Sequence, residues 1–277
     1  MTILVTGATA SVGRLVVDEL VAAGAPVRAL TNKPARAALP AGVEVATGYL
    51  GKPESLPAAL QGIDTVYLAP LPAYVDDFVR CAQEAGVRRV VVLSGEPAEY
   101  EAQGDPANWH YYRVERAIEE ADFEWTFLRP GQFMNNTLDW APTIKSEGVV
   151  RAPYAAAVQT PIDLVDIAAV ARVALLDESF NHQKLVMSGP EAITQPQEVE
   201  HIAAALGREI KFEELTPQQY LDQLEPFTGL ETAQWLLDGF RMMAEHPMTP
   251  EPTVANLTGR PATPYRDWAL RNVAAFR

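Results

Sequence analysis

The chain has 277 residues, 48% of them hydrophobic and 21% charged, which predicts a globular protein with a sizeable core. Its net charge of −14 argues against a nucleic-acid partner, because a grip on phosphates needs clustered Lys and Arg. The single cysteine, Cys81, excludes an internal disulfide, and no ligand cluster surrounds Asp163 and Asp166, so no metal is predicted. No apolar run reaches membrane-spanning length and the N-terminus lacks the basic flank of a signal peptide, so we expect a cytoplasmic protein without a membrane partner.

The N-terminal segment predicts a dinucleotide-binding loop. An apolar strand, Thr2–Thr6, is followed by a glycine-rich turn and then by a helix near Val12–Ala23. Gly7 and Gly13 stand where the first and third glycines of such a loop stand, and Ala10 takes the middle position, which it tolerates if its φ is negative. The free N–H groups of the helix would then face a pyrophosphate. The predicted cofactor contacts here are Gly7, Thr9, Ala10, Ser11, Val12 and Gly13.

Strand-like and helix-like segments alternate through the first half of the chain. The next predicted strands are Pro26–Leu30, Val43–Ala46, Thr65–Leu68, Arg89–Leu93 and Trp125–Leu128, with helices over Pro53–Leu60, Tyr74–Ala85 and Ala107–Glu120. Alternation with short loops predicts an α/β fold, a doubly wound parallel (Rossmann) sheet with right-handed crossovers. We assign this dinucleotide-binding domain to residues 1–150.

The second half is less regular and predicts a smaller α+β region on the substrate side, residues 151–277, intertwined with the first domain. Its predicted helices are Asp163–Leu176, Gln195–Leu206, Gln218–Leu224, Leu230–Met243 and Tyr265–Phe276, and its predicted strands are Lys184–Met187 and Glu209–Glu214. The proline-rich stretch 247–264 is expected to be an ordered surface loop. The aromatic and Met side chains of Gln234–Met243 pack in the core or form a lid over an apolar substrate.

The residues after the second strand favour NADP over NAD. No acidic residue, which would bind the ribose diol of NAD, lies between Val27 and Pro40. Asn32, Lys33 and Arg36 stand there instead, and cations suit the 2′-phosphate of NADPH, although Lys33 and Arg36 are also interpretable as solvated surface charges. Ligands bind beyond the carboxyl ends of parallel strands, so we add further cofactor contacts at Ala69, Pro70, Ser94 and Pro130. Ser94 either forms a turn or hydrogen-bonds a substrate carbonyl.

Four further segments carry a family resemblance. They are WHYYRVERAIEEADFEWTFLRPGQFMNN (109–136), PIDLVDIAAVA (161–171), SGPEAIT (188–194) and the C-terminal TGRPATPYRDWA. Together with TGATASVGR at the start, they resemble the NmrA-like branch of the atypical short-chain dehydrogenase/reductase superfamily. The resemblance covers essentially the whole chain. It implies NAD(P) binding in a branch that includes quinone, azo, imine and ether reductases and catalytically silent redox sensors.

The Tyr-x-x-x-Lys pair of typical short-chain reductases is missing. Tyr111 is followed four residues later by Glu115, and Tyr112 by Arg116, a cation that would favour the phenolate. The candidate catalytic residues are therefore Ser94, His110, Tyr111 and Tyr112, although both tyrosines are also interpretable as packing residues.

The family pattern also assigns roles around the sixth strand. We expect Glu115 to be structural, bonding backbone or orienting Arg129, and Pro130 to begin a loop on the nicotinamide side. The resemblance places Phe133, Met134 and Asn135 in the substrate pocket. Asp166 is predicted to cap a helix N-terminus, and Asp163 to brace the loop after Arg129.

The sequence favours an NADPH-dependent reductase that reduces a small apolar or aromatic molecule, such as a quinone, enone or imine, by direct hydride transfer. The rival is a non-catalytic NADP-binding redox sensor that acts through a protein partner. A third interpretation, an isomerase with permanently bound NAD(P), is weakened by the missing Tyr-x-x-x-Lys pair. The helices at Tyr74–Ala85 and Ala107–Glu120 are candidate homodimer faces.

Overall fold

The computed structural model describes residues 2–104 and 110–277. They fold into two compact units: the first consists of Met1–Gly131, Leu164–Met187 and Thr253–Arg260, and the second of Gln132–Asp163, Ser188–Pro252 and Pro261–Arg277. The first change of unit thus falls after Gly131, whereas the sequence placed the boundary near residue 150. The helices of the described residues include none that is both long and apolar enough to cross a membrane.

The first unit is built on a seven-stranded parallel sheet. The strands are β1 (Ile3–Val5), β2 (Val27–Thr31), β3 (Glu44–Thr47), β4 (Thr65–Leu68), β5 (Arg89–Leu93), β6 (Glu124–Pro130) and β9 (Gln183–Met187). Their order in the sheet is β3-β2-β1-β4-β5-β6-β9. Its helices are α1 (Ser11–Ala22), α2 (Leu56–Leu60), α3 (Val75–Glu84), α4 (Ala98–Glu101), α5 (Tyr111–Glu119), α7 (Leu164–Leu176) and α11 (Thr253–Thr258). The predicted doubly wound α/β fold is confirmed. The helix start predicted at Ala107 lies outside the described residues.

The sheet is covered by apolar side chains, as the unbroken hydrophobic strands require. Val66, Val90, Val92 and Phe127 belong to one cluster with α2, α3 and α5. Arg89, at the start of β5, is one of the buried polar residues of the sheet: its guanidinium donates hydrogen bonds to the carbonyls of Ala174, Leu175 and Asp177, where α7 ends. Burial lowers the pKa of this guanidinium.

The second unit contains α6 (Ala141–Glu147), α8 (Gln195–Leu206), α9 (Pro217–Thr228), α10 (Leu230–Glu245) and α12 (Tyr265–Asn272). Two small sheets accompany them: β7 (Val149–Pro153) pairs in parallel with β11 (Lys211–Leu215), and β8 (Val158–Gln159) pairs antiparallel with β10 (Ile193–Thr194). A 3-10 helix covers Met134–Trp140. The hydrophobic core of the second unit contains Met134, Ile144, Val199, Tyr265 and Trp268.

The two acidic residues of the PIDLVDIA segment are buried and form ion pairs. Asp166 is the third residue of α7 rather than the residue before it, so it is not the N-cap; it is fully buried and pairs with Arg260 at 2.6 Å. Asp163 is buried and forms an ion pair with Arg271 in the second unit. Backbone hydrogen bonds hold the segment after Arg129: Ile162 N–H donates to Gln132 O, and Ile162 O accepts from Met134 N–H. The predicted bracing of this loop by Asp163 stays a prediction.

Candidate cofactor and active site

The glycine loop between β1 and α1 has the shape of an anion cradle. Gly7 has φ +60°, which favours glycine, and a Cβ at Gly13 would lie 2.2 Å from Gly7 O, so neither position accepts a side chain without movement. Ala10 is the N-cap of α1 with φ −88°, the negative value that an alanine there requires. No side chain of the described residues caps α1, and Thr9, Ala10 and Ser11 are exposed. The loop therefore fits a pyrophosphate at the α1 N-terminus.

The segment after β2 is cationic and is tied to α1. Asn32, Lys33 and Arg36 are exposed, and neither Lys33 nor Arg36 forms an ion pair with any residue in the described parts of the chain. Arg14 binds Asp18 through Nε and donates from Nη1 to Ala38 O at 2.8 Å. This segment has the composition and exposure that a 2′-phosphate contact requires.

The loops after β4 and β6 hold three further predicted cofactor residues. Ala69 N–H donates to Thr6 Oγ1 at 2.8 Å, and the Ala69 methyl would meet a Cβ at Gly7 at 3.0 Å, so Ala69 packs directly against the glycine loop. Pro70 follows it and is half-buried. Pro130 is the last residue of β6, and its carbonyl accepts from Glu96 N–H.

A buried ionic cluster lies at the carboxyl ends of β5 and β6. Arg129 binds Glu115 through two bonds, of 2.9 Å from Nε and 2.6 Å from Nη2, and reaches Glu99 with Nη1 at 2.6 Å. Ser94 Oγ donates to Glu115 Oε1 at 2.5 Å. Burial lowers the pKa of Arg129, but the hydrogen bonds and charge of Glu115 outweigh it and raise the pKa overall. The predicted role of Glu115 in orienting Arg129 is confirmed.

The Ser94 hydroxyl spends its one hydrogen on a bond within this cluster. Ser94 is only 3% exposed, and its proton is donated to Glu115, so its Oγ–H is not free to bind a substrate carbonyl. The assignment of Ser94 as a catalytic and cofactor residue stays a prediction. Glu115 holds the place that Lys has in typical short-chain reductases, and its carboxylate is sealed between Ser94 and Arg129.

Tyr111 lies over the backbone of Gly95. A Cβ on Gly95 would come within 2.8 Å of the Tyr111 ring, so the glycine is needed for this approach. Burial, and then the negative charge of Glu101, raise the pKa of Tyr111 above its ordinary value. Tyr111 is therefore a neutral phenol near pH 7.

Glu101 fixes the start of α5, a role that no local sequence pattern indicated. Its Oε2 accepts the backbone N–H groups of His110, Tyr111 and Tyr112 at 3.1, 2.8 and 2.8 Å. A carboxylate at a helix N-terminus is favoured by the helix dipole. His110 is exposed just before the helix, and Arg116, four residues after Tyr112, pairs with Glu120 at 2.7 Å.

The three predicted substrate residues belong to the second unit. Met134 has no exposed surface and packs in the core, so it presents nothing to a ligand in this conformation. Phe133 and Asn135 are half-buried. The predicted pocket contacts at these three positions stay predictions, and the surface available for them is that of Phe133 and Asn135.

A doubly wound parallel sheet with a glycine loop at the N-terminus of its first helix is the fold of dinucleotide-binding proteins. The model of the NmrA-like family matches residues 1–257, and the chain belongs to that family. The predicted resemblance to this branch of the atypical short-chain dehydrogenase/reductases is confirmed.

Similar proteins include two full-length relatives. A (4-alkanoyl-5-oxo-2,5-dihydrofuran-3-yl)methyl phosphate reductase from Streptomyces griseus is 40% identical over 99% of both chains. An NAD(P)H azoreductase from Xenophilus azovorans is 32% identical, again over 99% of both. The chain is thus an enzyme of the NAD(P)H-dependent reductase type.

Solved structures agree on the fold. An NADPH-dependent quinone oxidoreductase from Escherichia coli, in complex with NADPH, superposes with a TM-score of 0.82 at 20% identity, covering 98% of this chain and 99% of the other. A triphenylmethane reductase from a Citrobacter species, in complex with NADP(H), superposes with a TM-score of 0.80 at 19% identity. The match covers 99% of this chain and 100% of the other.

Proposed function

We propose that this protein uses NADPH to reduce a small, electron-poor, apolar or aromatic molecule such as a quinone or an enone. The observation that carries the proposal is the sealed Ser94–Glu115–Arg129 cluster, which stands where typical short-chain reductases keep the lysine that activates their tyrosine. An acceptor that takes up hydride readily needs little acid assistance, which suits a site without that lysine.

The bound cofactor would supply the hydride, and the chain would supply position and a dry environment. Gly7, Ala10 and Gly13 would hold the pyrophosphate against the α1 amides. Tyr111, a neutral phenol, is our candidate proton or hydrogen-bond donor to the acceptor. His110 and Tyr112 remain further candidates at the same helix start.

The names of the full-length relatives support an electron-poor double bond as the target. The substrate named for the Streptomyces griseus relative has a ring alkene conjugated with an alkanoyl group and a lactone carbonyl. The azo group in the name of the second relative is likewise an unsaturated acceptor. An enone or quinone belongs to the same chemical type.

The test is steady-state oxidation of NADPH in the presence of 1,4-naphthoquinone, 3-acetyl-5H-furan-2-one and the 2-methyl-3,4-dihydroisoquinolinium ion. We expect turnover of at least one acceptor, and a loss of about 100-fold or more in kcat/KM on Gly13→Ala, because the added methyl collides with Gly7 O. Ala10→Gly is the matched control in the same loop and should stay within about threefold. If no acceptor is reduced while NADPH and NADP⁺ bind with different affinity, the protein is a redox sensor instead.

A second expectation concerns the choice of cofactor. Arg36→Ala should weaken NADPH binding about tenfold, roughly 1.4 kcal/mol, and leave NADH binding unchanged, because only NADPH carries the 2′-phosphate. Fluorescence titration of both cofactors measures this. Lys145→Ala removes an equally exposed charge from α6 and should change neither affinity. Equal losses for NADPH and NADH would show that Arg36 makes no contact with a 2′-phosphate.

The cytoplasmic location and the homodimer stay predictions.

A further inference from the structure

The turn that follows β3 in the first unit places one aromatic ring at the surface. Gly48 and Leu50 are buried on either side of Tyr49, which is 42% exposed. Leu50 belongs to the hydrophobic cluster that also contains Leu68 and Phe78. The turn is therefore anchored through Leu50, and its neighbour Tyr49 points away from that anchor.

The conformation of Tyr49 is fixed by the turn itself. Its backbone N–H donates to Ser55 Oγ at 3.0 Å, and its carbonyl accepts from Lys52 N–H at 2.9 Å. Ser55 Oγ in turn donates to Lys52 O at 2.7 Å. A Cβ at Gly51 would come within 2.5 Å of the Tyr49 ring, so the ring lies against glycine backbone that accepts no side chain without movement. A ring held in this way loses little freedom when a ligand covers its exposed part.

Tyr49 leaves the sheet beside the cationic segment that follows β2. The two strands pair in parallel up to Thr31 and Thr47, and Gly48 N–H adds one more bond to Thr31 O at 3.0 Å. Thr31 Oγ1 accepts Lys33 N–H at 3.2 Å, so the same residue holds both segments where they emerge. In the strand order, β3 lies two spacings, about 10 Å, from β1 and its glycine loop.

The turn after β3 also adjoins the loop after β4. Leu50 lines an apolar depression together with Pro70, Leu71 and Tyr74. Ala69, one residue before Pro70, packs against the glycine loop. In a doubly wound sheet the pyrophosphate lies at the first strand and the ribose at the end of the second, so the base extends beyond the ribose. On this sheet, the turn that carries Tyr49 is the next one in that direction.

We infer that Tyr49 holds the purine base of the cofactor by stacking, so that the protein recognises the flat face of the base rather than the exocyclic group at its edge. The inference rests on the proposed use of a nicotinamide dinucleotide. Stacking on an aromatic ring tolerates different bases, because every base has a π-face. The turn 48–52, GYLGK, contains no carboxylate or amide side chain to accept a hydrogen bond from an exocyclic amine. A dinucleotide with hypoxanthine in place of adenine is therefore accepted as well.

The test is fluorescence titration with NADPH and with its hypoxanthine analogue. Wild-type protein should bind the two within about threefold of each other, and Tyr49→Ala should weaken both about tenfold. Tyr49→Phe keeps the ring and should stay within about threefold of wild type for both. Val45→Ala is the control, because Val45 is equally exposed, at 42%, on β3 and should change neither affinity. Equal melting temperatures would confirm that the variants fold alike.

Calorimetry with ADP gives a second readout, since ADP carries the base and the pyrophosphate but no nicotinamide. Tyr49→Ala should weaken ADP and NADPH by the same factor. Unchanged affinities in Tyr49→Ala would overturn the inference, and so would a wild-type protein that binds the hypoxanthine analogue more than about tenfold less tightly than NADPH. A wild-type protein that binds no nucleotide would overturn it too. If nucleotides bind as expected but no acceptor is reduced, the proposed reductase function fails and the role of Tyr49 stands.

Discussion

Replacing Arg129 with methionine is expected to lower the free energy of unfolding by about 3–5 kcal/mol. The substitution leaves the carboxylate of Glu115, which has no exposed surface, without the guanidinium that binds it through two hydrogen bonds. An isolated buried charge costs far more than the ion pair itself contributes. Urea denaturation followed by both fluorescence and circular dichroism would measure the loss and check two-state behaviour.

The second ion-pair partner of Arg129, Glu99, provides a control. Glu99 lies as close to Arg129 as Glu115 does, at 2.6 Å, but its side chain is 65% exposed. Glu99→Gln should therefore cost less than about 1 kcal/mol. Combining Arg129→Met with Glu115→Gln removes both charges and keeps an acceptor for Ser94, so most of the loss should be regained. Equal losses for Arg129→Met and Glu99→Gln would mean that burial does not govern the strength of this cluster.

Glu198→Gln is expected to flatten the pH dependence of stability. Glu198 lies in α8 within the core of the second unit, 2% exposed, and burial raises its pKa to about 8. The folded protein thus keeps the carboxyl protonated up to about pH 8, whereas the unfolded chain releases this proton near pH 4.5. Between these values the folded state binds the extra proton, so stability falls as pH rises, by at most about 1.4 kcal/mol per unit.

Thermal and urea unfolding at pH 5 and at pH 8 would show the effect as a difference between proteins. Relative to wild type, Glu198→Gln should gain on the order of 3 kcal/mol in going from pH 5 to pH 8, since its amide has no charge to bury. Glu200→Gln is the matched control, because Glu200 is exposed on the same helix and should leave the profile unchanged. A profile for Glu198→Gln that runs parallel to wild type would show that Glu198 ionises normally. The pKa of Tyr265 also depends on this carboxyl group, because burial and then the nearby Glu198 raise it.

Regular elements with strong local signals were predictable from the sequence. The bounds of β4, β5 and α8 agree with the predicted ones, because an apolar run or a capped amphipathic stretch defines each of them. The helix α11 was missed because prolines on both sides of it favour a loop, yet Val254 within it is fully buried. Tertiary packing decides such a short helix, and no local pattern reports that packing.

The candidate site likewise has one part that a local motif predicts and another that depends on long-range contacts. The glycine loop is a local motif, and Gly7, Ala10 and Gly13 have the geometry that its spacing predicts. Residues that act through long-range contacts were harder to find. Glu198 and Glu200 look alike in the sequence, and only the packing of the second unit separates a buried acid from a solvated one. The orientation of Asn135 depends on Trp268, which lies far along the chain and carries no signal of this contact.

The order in which the first unit is assembled from the chain has a consequence for protein synthesis. Its sheet gains β9 only after residues 132–163, which belong to the other unit, have left the ribosome. The last stretch then adds Thr253, whose hydroxyl bonds Val186 O, and Arg260, which neutralises the buried Asp166. Until β9 is added, β6 is an open edge strand that can pair with another nascent chain. We therefore expect the dinucleotide-binding unit to be completed late in translation, with β6 as the segment most in need of chaperone protection.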